Sequence, residues 1–163
     1  MMELDVQKWR QRLEEVELLY TKLLNISCQQ KDLMAAFDPD TQGQVEQLDA
    51  LLQEREGLMQ RIDMVSISQE EEINLLKILE QEGHTERWRL ARQMQQDYQK
   101  SRQELQSVLQ TIQENDQKTQ DKMAEAIKEL GSRLANAREN VRATRAYTRY
   151  GTSSEGWFID QKK

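Results

Sequence analysis

From Val6 to Phe37 the apolar residues return every third and fourth position, and this periodicity limits what the chain can fold into. One heptad position holds Val6, Leu13, Tyr20, Ser27 and Met34; the other holds Trp9, Val16, Leu23, Gln30 and Phe37. Leu19, Ile26 and Leu33 widen the stripe, which makes it a bundle face rather than a narrow two-stranded seam. Ser27 and Gln30 interrupt it with polar groups. The helix must stop near Asp38-Pro39-Asp40, because proline disfavours helical geometry in the residue before it. Pro39 is the only proline in 163 residues, and charged residues make up 32% against 6% aromatic. Long helices fit that balance and a sheet does not.

Beyond Gly43 a second periodic run carries Val45, Leu48, Leu52, Met59 and Ile62, with Leu51, Leu58 and Val65 alongside. A short loop between two such runs predicts an antiparallel hairpin, with Asp40 or Thr41 capping the second helix. Ser68 with Glu71 fits a capping box, so a new helix is expected from Gln69, carrying Ile73, Leu76 and Leu79 and weakening at Gly83-His84. A last, long helix then contains Trp88, Leu90, Met94, Tyr98, Leu105, Val108, Leu109 and Ile112. Trp9, Trp88 and Tyr98 are expected in the core. Gln113 to Lys122 has no apolar residue, yet it also lacks glycine and proline, which favours a solvated helix over a bend. The expected fold is all-α: an elongated antiparallel helical bundle or coiled coil of three to four helices with a flexible C-terminal tail. Residues 1–130 form the bundle core, 131–150 an amphipathic basic helical segment, and 151–163 a Gly/Ser-led tail ending in an aromatic plug.

Charge is distributed unevenly along the chain. Residues 1–130 carry 16 Lys and Arg against 26 Asp and Glu, a net of −10, whereas residues 131–163 carry 7 against 3, a net of +4. An acidic body argues against nucleic acid or an anionic membrane as the main partner. No stretch approaches the ~20 apolar residues needed to span a bilayer, and Met1-Met2-Glu3-Leu4-Asp5 does not read as a secretory signal. With the lone Cys28 barring an intramolecular disulfide, a cytoplasmic location is expected.

Catalytic constellations are missing from the sequence. His84 is the one histidine, so neither a Ser-His-Asp arrangement nor a multi-histidine metal site can be assembled within one chain. Cys28 has only Lys31 nearby to favour a thiolate. No glycine-rich phosphate loop occurs, and the carboxylates are spread over polar helix faces. An enzyme is not expected, nor is a cofactor. One loop, Asp38 to Asp49, partly fits a calcium loop through Asp38, Asp40 and Gly43, but Gln42 and Asp49 are weak at two ligand positions. The plain alternative is a hairpin loop with a glycine turn.

In the basic segment Leu130, Leu134, Ala137 and Val141 share an apolar stripe, with Arg138, Arg142, Arg145 and Arg149 beside it. Trp157-Phe158-Ile159 either folds back on the bundle or faces a partner, since exposed aromatics tend to mark interaction sites.

Several stretches resemble the flagellar type III export chaperones of the FlgN family (FlgN/FliT-like). Leu19-Tyr20-Thr21-Lys22-Leu23-Leu24 is similar to part of their first helix. The run from Leu48 to Met59 looks like their L-x-x-L-L-x-E-R-E-x-L segment. Ile112-Gln113-Glu114-Asn115-Asp116-Gln117-Lys118 is similar to the Asn-bearing stretch of their long third helix. Arg145-Ala146-Tyr147, followed by Phe158-Ile159-Asp160-Gln161-Lys162-Lys163, resembles the tyrosine and F-x-D-x-K ending of members from Gram-positive bacteria. Gln161 stands where lysine is expected, and the loop at 38–43 is longer than usual. The length suits FlgN better than FliT.

The resemblance implies a cytoplasmic chaperone in bacterial flagellum biogenesis and protein export. It would bind hook–filament junction proteins, or the filament cap, and deliver them to the gate or ATPase components of the type III secretion apparatus. An amphipathic client segment would lay its apolar face along Leu130, Leu134, Ala137 and Val141, with Arg138, Arg142 and Arg145 reading acidic client residues. Tyr147, Tyr150, Trp157 and Phe158 would be the export-gate contacts. Such a chaperone would be a monomer or weak homodimer. The competing reading is a coiled-coil scaffold without a client, which would form a tight oligomer by itself.

Overall fold

A computed structural model describes residues 4–81, 83 and 86–160, with the backbone alone given from Tyr150 onward. The fold is all-α, with three helices: α1 Val6–Ala35, α2 Gln44–Gln81 and α3 Glu86–Asp160. No described residue lies in a strand.

Asp5 starts α1. Its Oδ1 accepts the Gln7 and Lys8 N–H groups at 3.0 and 3.1 Å, satisfying two donors that the first turn leaves unpaired. These bonds, Lys8 foremost, hold the Asp5 carboxyl below its ordinary value. At the other end Pro39 has no N–H to give the Ala35 carbonyl, which is where α1 ends.

The turn to α2 is tied by side chains. Gln44 Oε1 accepts the Asp38 N–H at 2.8 Å, and the Asp38 carboxylate accepts the Asp40 N–H and the Thr41 hydroxyl. Gly43, at φ +91°, takes the left-handed conformation and leads into Gln44. Neither Asp40 nor Thr41 directly precedes α2, contrary to the expected cap.

The expected restart at Gln69 does not occur. Ser66, Ile67 and Ser68 lie inside α2, and Ser68 caps nothing. Ile62, Val65, Gln69 and Leu76 are all buried, so one core-facing stripe runs through the serines and packing outweighs the local capping signal. The break comes at Gly83, whose φ of +88° suits a left-handed turn, and α3 follows from Glu86.

The chain divides into two compact units, Met1–Asp121 and Lys122–Lys163, earlier than the composition change at 130. The first is a three-helix bundle whose directions follow from its cross-links. Trp9 Nε1 donates to the Met94 carbonyl at 3.0 Å, Arg10 pairs with Asp97, Ser101 Oγ donates to Glu17, and Asn115 Nδ2 donates to Ser27 Oγ. These pairs span 85, 87, 84 and 88 residues, so α1 and α3 run parallel in fixed register. Arg12–Glu72, Glu15–Arg61 and Gln30–Arg55 descend along α2 as they ascend α1, which makes that pair antiparallel.

Two apolar layers fill the bundle. Trp9 and Leu13 pack with Leu76, Ala91 and Met94, with Tyr98 set against Trp9 at 6.1 Å between ring centres. Val16, Leu19 and Leu23 pack with Ile62, Val65, Leu105 and Ile112. Each such Leu, Ile, Val or Met side chain stabilises the fold by about 1.5–3 kcal/mol relative to exposure. Trp88, expected in the core, is only half-buried and carries the Arg92 guanidinium 5.3 Å over its ring.

A polar layer crosses all three helices of this unit. Ser27 and Gln30 of α1 are buried at core positions, and α3 meets them with Asn115 and Thr119, also buried. Asn115 Nδ2 donates to Ser27 Oγ at 3.1 Å and lies 3.3 Å from Cys28 Sγ; Thr119 Oγ1 donates to the Asn115 carbonyl. From α2, Arg55 donates to Gln30 Oε1 at 2.9 Å and grips both oxygens of Asp116 at 2.7 and 2.6 Å. The stretch from Gln113 to Lys122 is therefore helical, as expected, but not wholly solvated.

Candidate functional site

Unit two is built on the helix from Lys122 onward, which carries local side-chain bonds. Lys122 pairs with Glu125 and Arg133 with Glu129, while Thr144 and Thr148 donate to carbonyls one turn back. Local pairs of this kind support a helix by a few tenths of a kcal/mol each and bury little apolar surface.

Along this helix Leu130, Leu134, Ala137 and Val141 succeed one another by four, three and four residues, which keeps them on one face. All four are exposed, Leu130 at 43%, Leu134 at 54% and Val141 at 50%. Met123 and Ala126, nearer the start of the unit, are half-buried, whereas Ile127 is exposed at 70%. Arg138, Arg142, Arg145 and Arg149 are also exposed and fall along one edge of the stripe, within about 100° of its centre. Glu139 is the only acid from Leu134 to Arg149, and it falls on the opposite side of the helix. A continuous apolar strip with one cationic edge suits a second amphipathic helix bearing carboxylates. Of the expected gate contacts, Tyr147 is 85% exposed. The side chains of Tyr150, Trp157 and Phe158 lie outside the described residues, as does His84.

The calcium alternative finds no geometry to support it. The Asp38 carboxylate is turned onto its own loop, and Asp49 Oδ2 accepts from Gln53 Nε2 at 3.0 Å on the outer surface of α2. Among the described residues no three His, Cys, Asp or Glu side chains are grouped as a metal would require. Likewise, no helix among the described residues is long and apolar enough to cross a membrane.

Three features of the first unit escaped the sequence reading. One is the polar layer, signalled by Ser27 and Gln30 at heptad core positions. Another is a cleft of about 620 Å³ lined by Tyr20 of α1, Gln69 and Ile73 of α2, and Tyr98, Arg102 and Leu109 of α3. The third is a second apolar face on α2. Met64, Ile67, Leu75 and Ile78 are exposed by 66, 62, 39 and 56%, about 150° around the helix from the buried stripe. Their spacing was visible as a second periodic set on the same helix.

Compared with family models, curated proteins and solved structures, the chain matches none.

Proposed function

We propose that this protein is an export chaperone of the FlgN kind, holding hook–filament junction proteins or the filament cap before their delivery to the flagellar type III secretion apparatus. The observation that carries the reading is the exposed strip Leu130, Leu134, Ala137 and Val141 with its arginine edge. An amphipathic helix from a client, disordered when free, would pack its apolar face on this strip and shield an aggregation-prone surface. Arg138, Arg142 and Arg145 would meet acidic residues flanking the client's apolar positions, setting register and excluding basic helices. The resemblance in the Leu48–Met59 segment and the closing F-x-D-x-K pattern supplies the client class. Tyr147 is the gate contact in this reading, with Tyr150, Trp157 and Phe158 beyond it.

The test is a pull-down from a flagellated bacterial lysate with the full chain and with a chain truncated after Leu130, with captured proteins identified by mass spectrometry. Junction or cap proteins retained by the full chain and lost on truncation support the reading. If neither chain retains them and light scattering gives a stable oligomer, the scaffold reading takes its place.

A further inference from the structure

The outward face of α2 and the basic stripe of the second unit are complementary in three respects. Chemically, both are apolar strips: Met64, Ile67, Leu75 and Ile78 on one, Leu130, Leu134, Ala137 and Val141 on the other. Electrostatically they are opposite. Glu56, Asp63 and Glu71, all exposed, lie on or beside the α2 face, whereas Arg61, as far from its centre as Asp63 but on the other edge, is paired with Glu15. Arg138, Arg142, Arg145 and Arg149 border the other strip. The dimensions agree as well. At 1.5 Å per residue, the α2 face from Glu56 to Ile78 is about 33 Å long and the basic strip from Leu130 to Arg149 about 29 Å. The charges also share a period, since Glu56 and Asp63 stand seven apart, as do Arg138 and Arg145.

We propose that the α2 face is a self-association surface, and that its occupant is the basic helical strip of a second copy of this chain. Aligned antiparallel, either strip paired with its own kind would set arginine edge against arginine edge, or acid against acid, and like charges at helix contacts destabilise; aligned parallel, the unlike strips bring the arginine edge of one onto the acidic edge of the other. Pairing unlike strips removes that conflict and leaves each copy with one strip of each kind. The smallest closed assembly in which a second copy covers both strips of each chain is a two-fold dimer. Exposed apolar side chains would move from water into helix–helix packing at each contact, and the rim pairs would set register more than affinity. The α2 face belongs to no client site, so this inference stands apart from the chaperone reading although the two share the basic strip.

Sedimentation velocity of the full chain across a concentration series, at low and high salt, is the experiment. Wild type is expected to dimerise reversibly, about tenfold more weakly in 0.5 M than in 0.05 M NaCl. Reversing the α2 face (Glu56→Lys/Asp63→Lys/Glu71→Lys) or the strip (Arg138→Glu/Arg142→Glu/Arg145→Glu) should each abolish the dimer. All six residues are surface-exposed, and circular dichroism checks that each variant retains its helices. An equal mixture of the two variants should regain association, because one reversed face then meets one reversed strip. A wild-type monomer, a dimer that survives both reversals, or a mixture that stays monomeric overturns the proposal. A monomer that expands when either set is reversed also overturns it, and assigns the strip to the same chain's own α2. Client pull-down reads a different quantity, so failure here and failure of the chaperone reading are separable.

Discussion

Replacing Asp116 by alanine tests how the polar layer contributes to the fold. Arg55 and Asp116 are 19 and 28% exposed at their side chains, close to buried but not sealed from water. Removing one member of a fully buried pair costs about 3–5 kcal/mol, because the remaining charge is stranded; an exposed pair is worth about 0–1. Solvent reaching a quarter of the Asp116 side chain places Asp116→Ala between these limits, at about 2 kcal/mol. Arg55 would keep Gln30 Oε1 at 2.9 Å but lose both charge-assisted bonds. For a chain of this size about 2 kcal/mol corresponds to a fall in Tm of roughly 4–8 °C. The double variant Arg55→Met/Asp116→Leu strands no charge, so it should fall within about 1 kcal/mol of wild type. Urea unfolding followed by circular dichroism, run on Asp116→Ala and on a double-mutant cycle whose single changes are Arg55→Met and Asp116→Leu, gives all the values. If Asp116→Ala costs under about 0.5 kcal/mol, the pair is screened by solvent and the layer is incidental. If the double variant loses as much as the two single changes added together, the layer stabilises outright and the stranded-charge reasoning fails.

Further expectations follow from local geometry. Gly57 lies inside α2 with nothing within 4 Å of an added Cβ, so Gly57→Ala should stabilise by about 0.5–1 kcal/mol; Gly83→Ala, at φ +88°, should destabilise by about 1–2 kcal/mol. Matched thermal melts check both signs. Leu76, 1% exposed between Trp9 and Met94, should cost about 2–5 kcal/mol as Leu76→Ala, read from the urea midpoint. Asp5 is held below its ordinary value of 3.8 by the Lys8 and Gln7 N–H bonds, so its contribution is complete above that value and fades as pH falls through the lower, folded one. Asp5→Ala should therefore lower Tm at pH 7, with the gap from wild type narrowing below pH 4; a gap that stays constant with pH would remove Asp5 as a charged cap.

The first helix was legible almost residue by residue. Trp9, Leu13, Val16, Leu23, Ser27, Gln30 and Met34 are buried as the heptad required, because α1 offers one dominant apolar face to both partners. The second helix was legible in type but not in phase. Leu51–Leu52 and Leu58–Met59 place apolar residues on adjacent faces, so periodicity alone admits two stripes; burial selects Ile62, Val65 and Leu76 and leaves Val45, Leu52 and Met59 exposed. Arg55 hid the solution, since a charged residue at a core-facing position only makes sense once Gln30 and Asp116 are brought to it. Asn115 and Thr119 were unreadable for a related reason. Polar residues on a helix are solvated by default; the facing Ser27 and Cys28 give Asn115 a dry partner, and Thr119 turns its hydroxyl onto the Asn115 carbonyl. The basic strip was legible as a pattern, and the structure adds that its apolar side chains are exposed. What occupies it was not legible, because a sequence specifies its own stripe and not the stripe that meets it.

The chaperone reading is tested most directly by isothermal titration of the purified full chain with a purified hook–filament junction protein from a flagellated bacterium. Leu134→Glu/Val141→Glu is the matched variant, two exposed positions whose change leaves the first unit's core intact. Saturable one-to-one binding by the wild-type chain, weakened at least about tenfold in the variant, is the expected result. No heat of binding to either the junction protein or the filament cap, or equal affinity in chain and variant, would contradict the assignment of that strip as the client site.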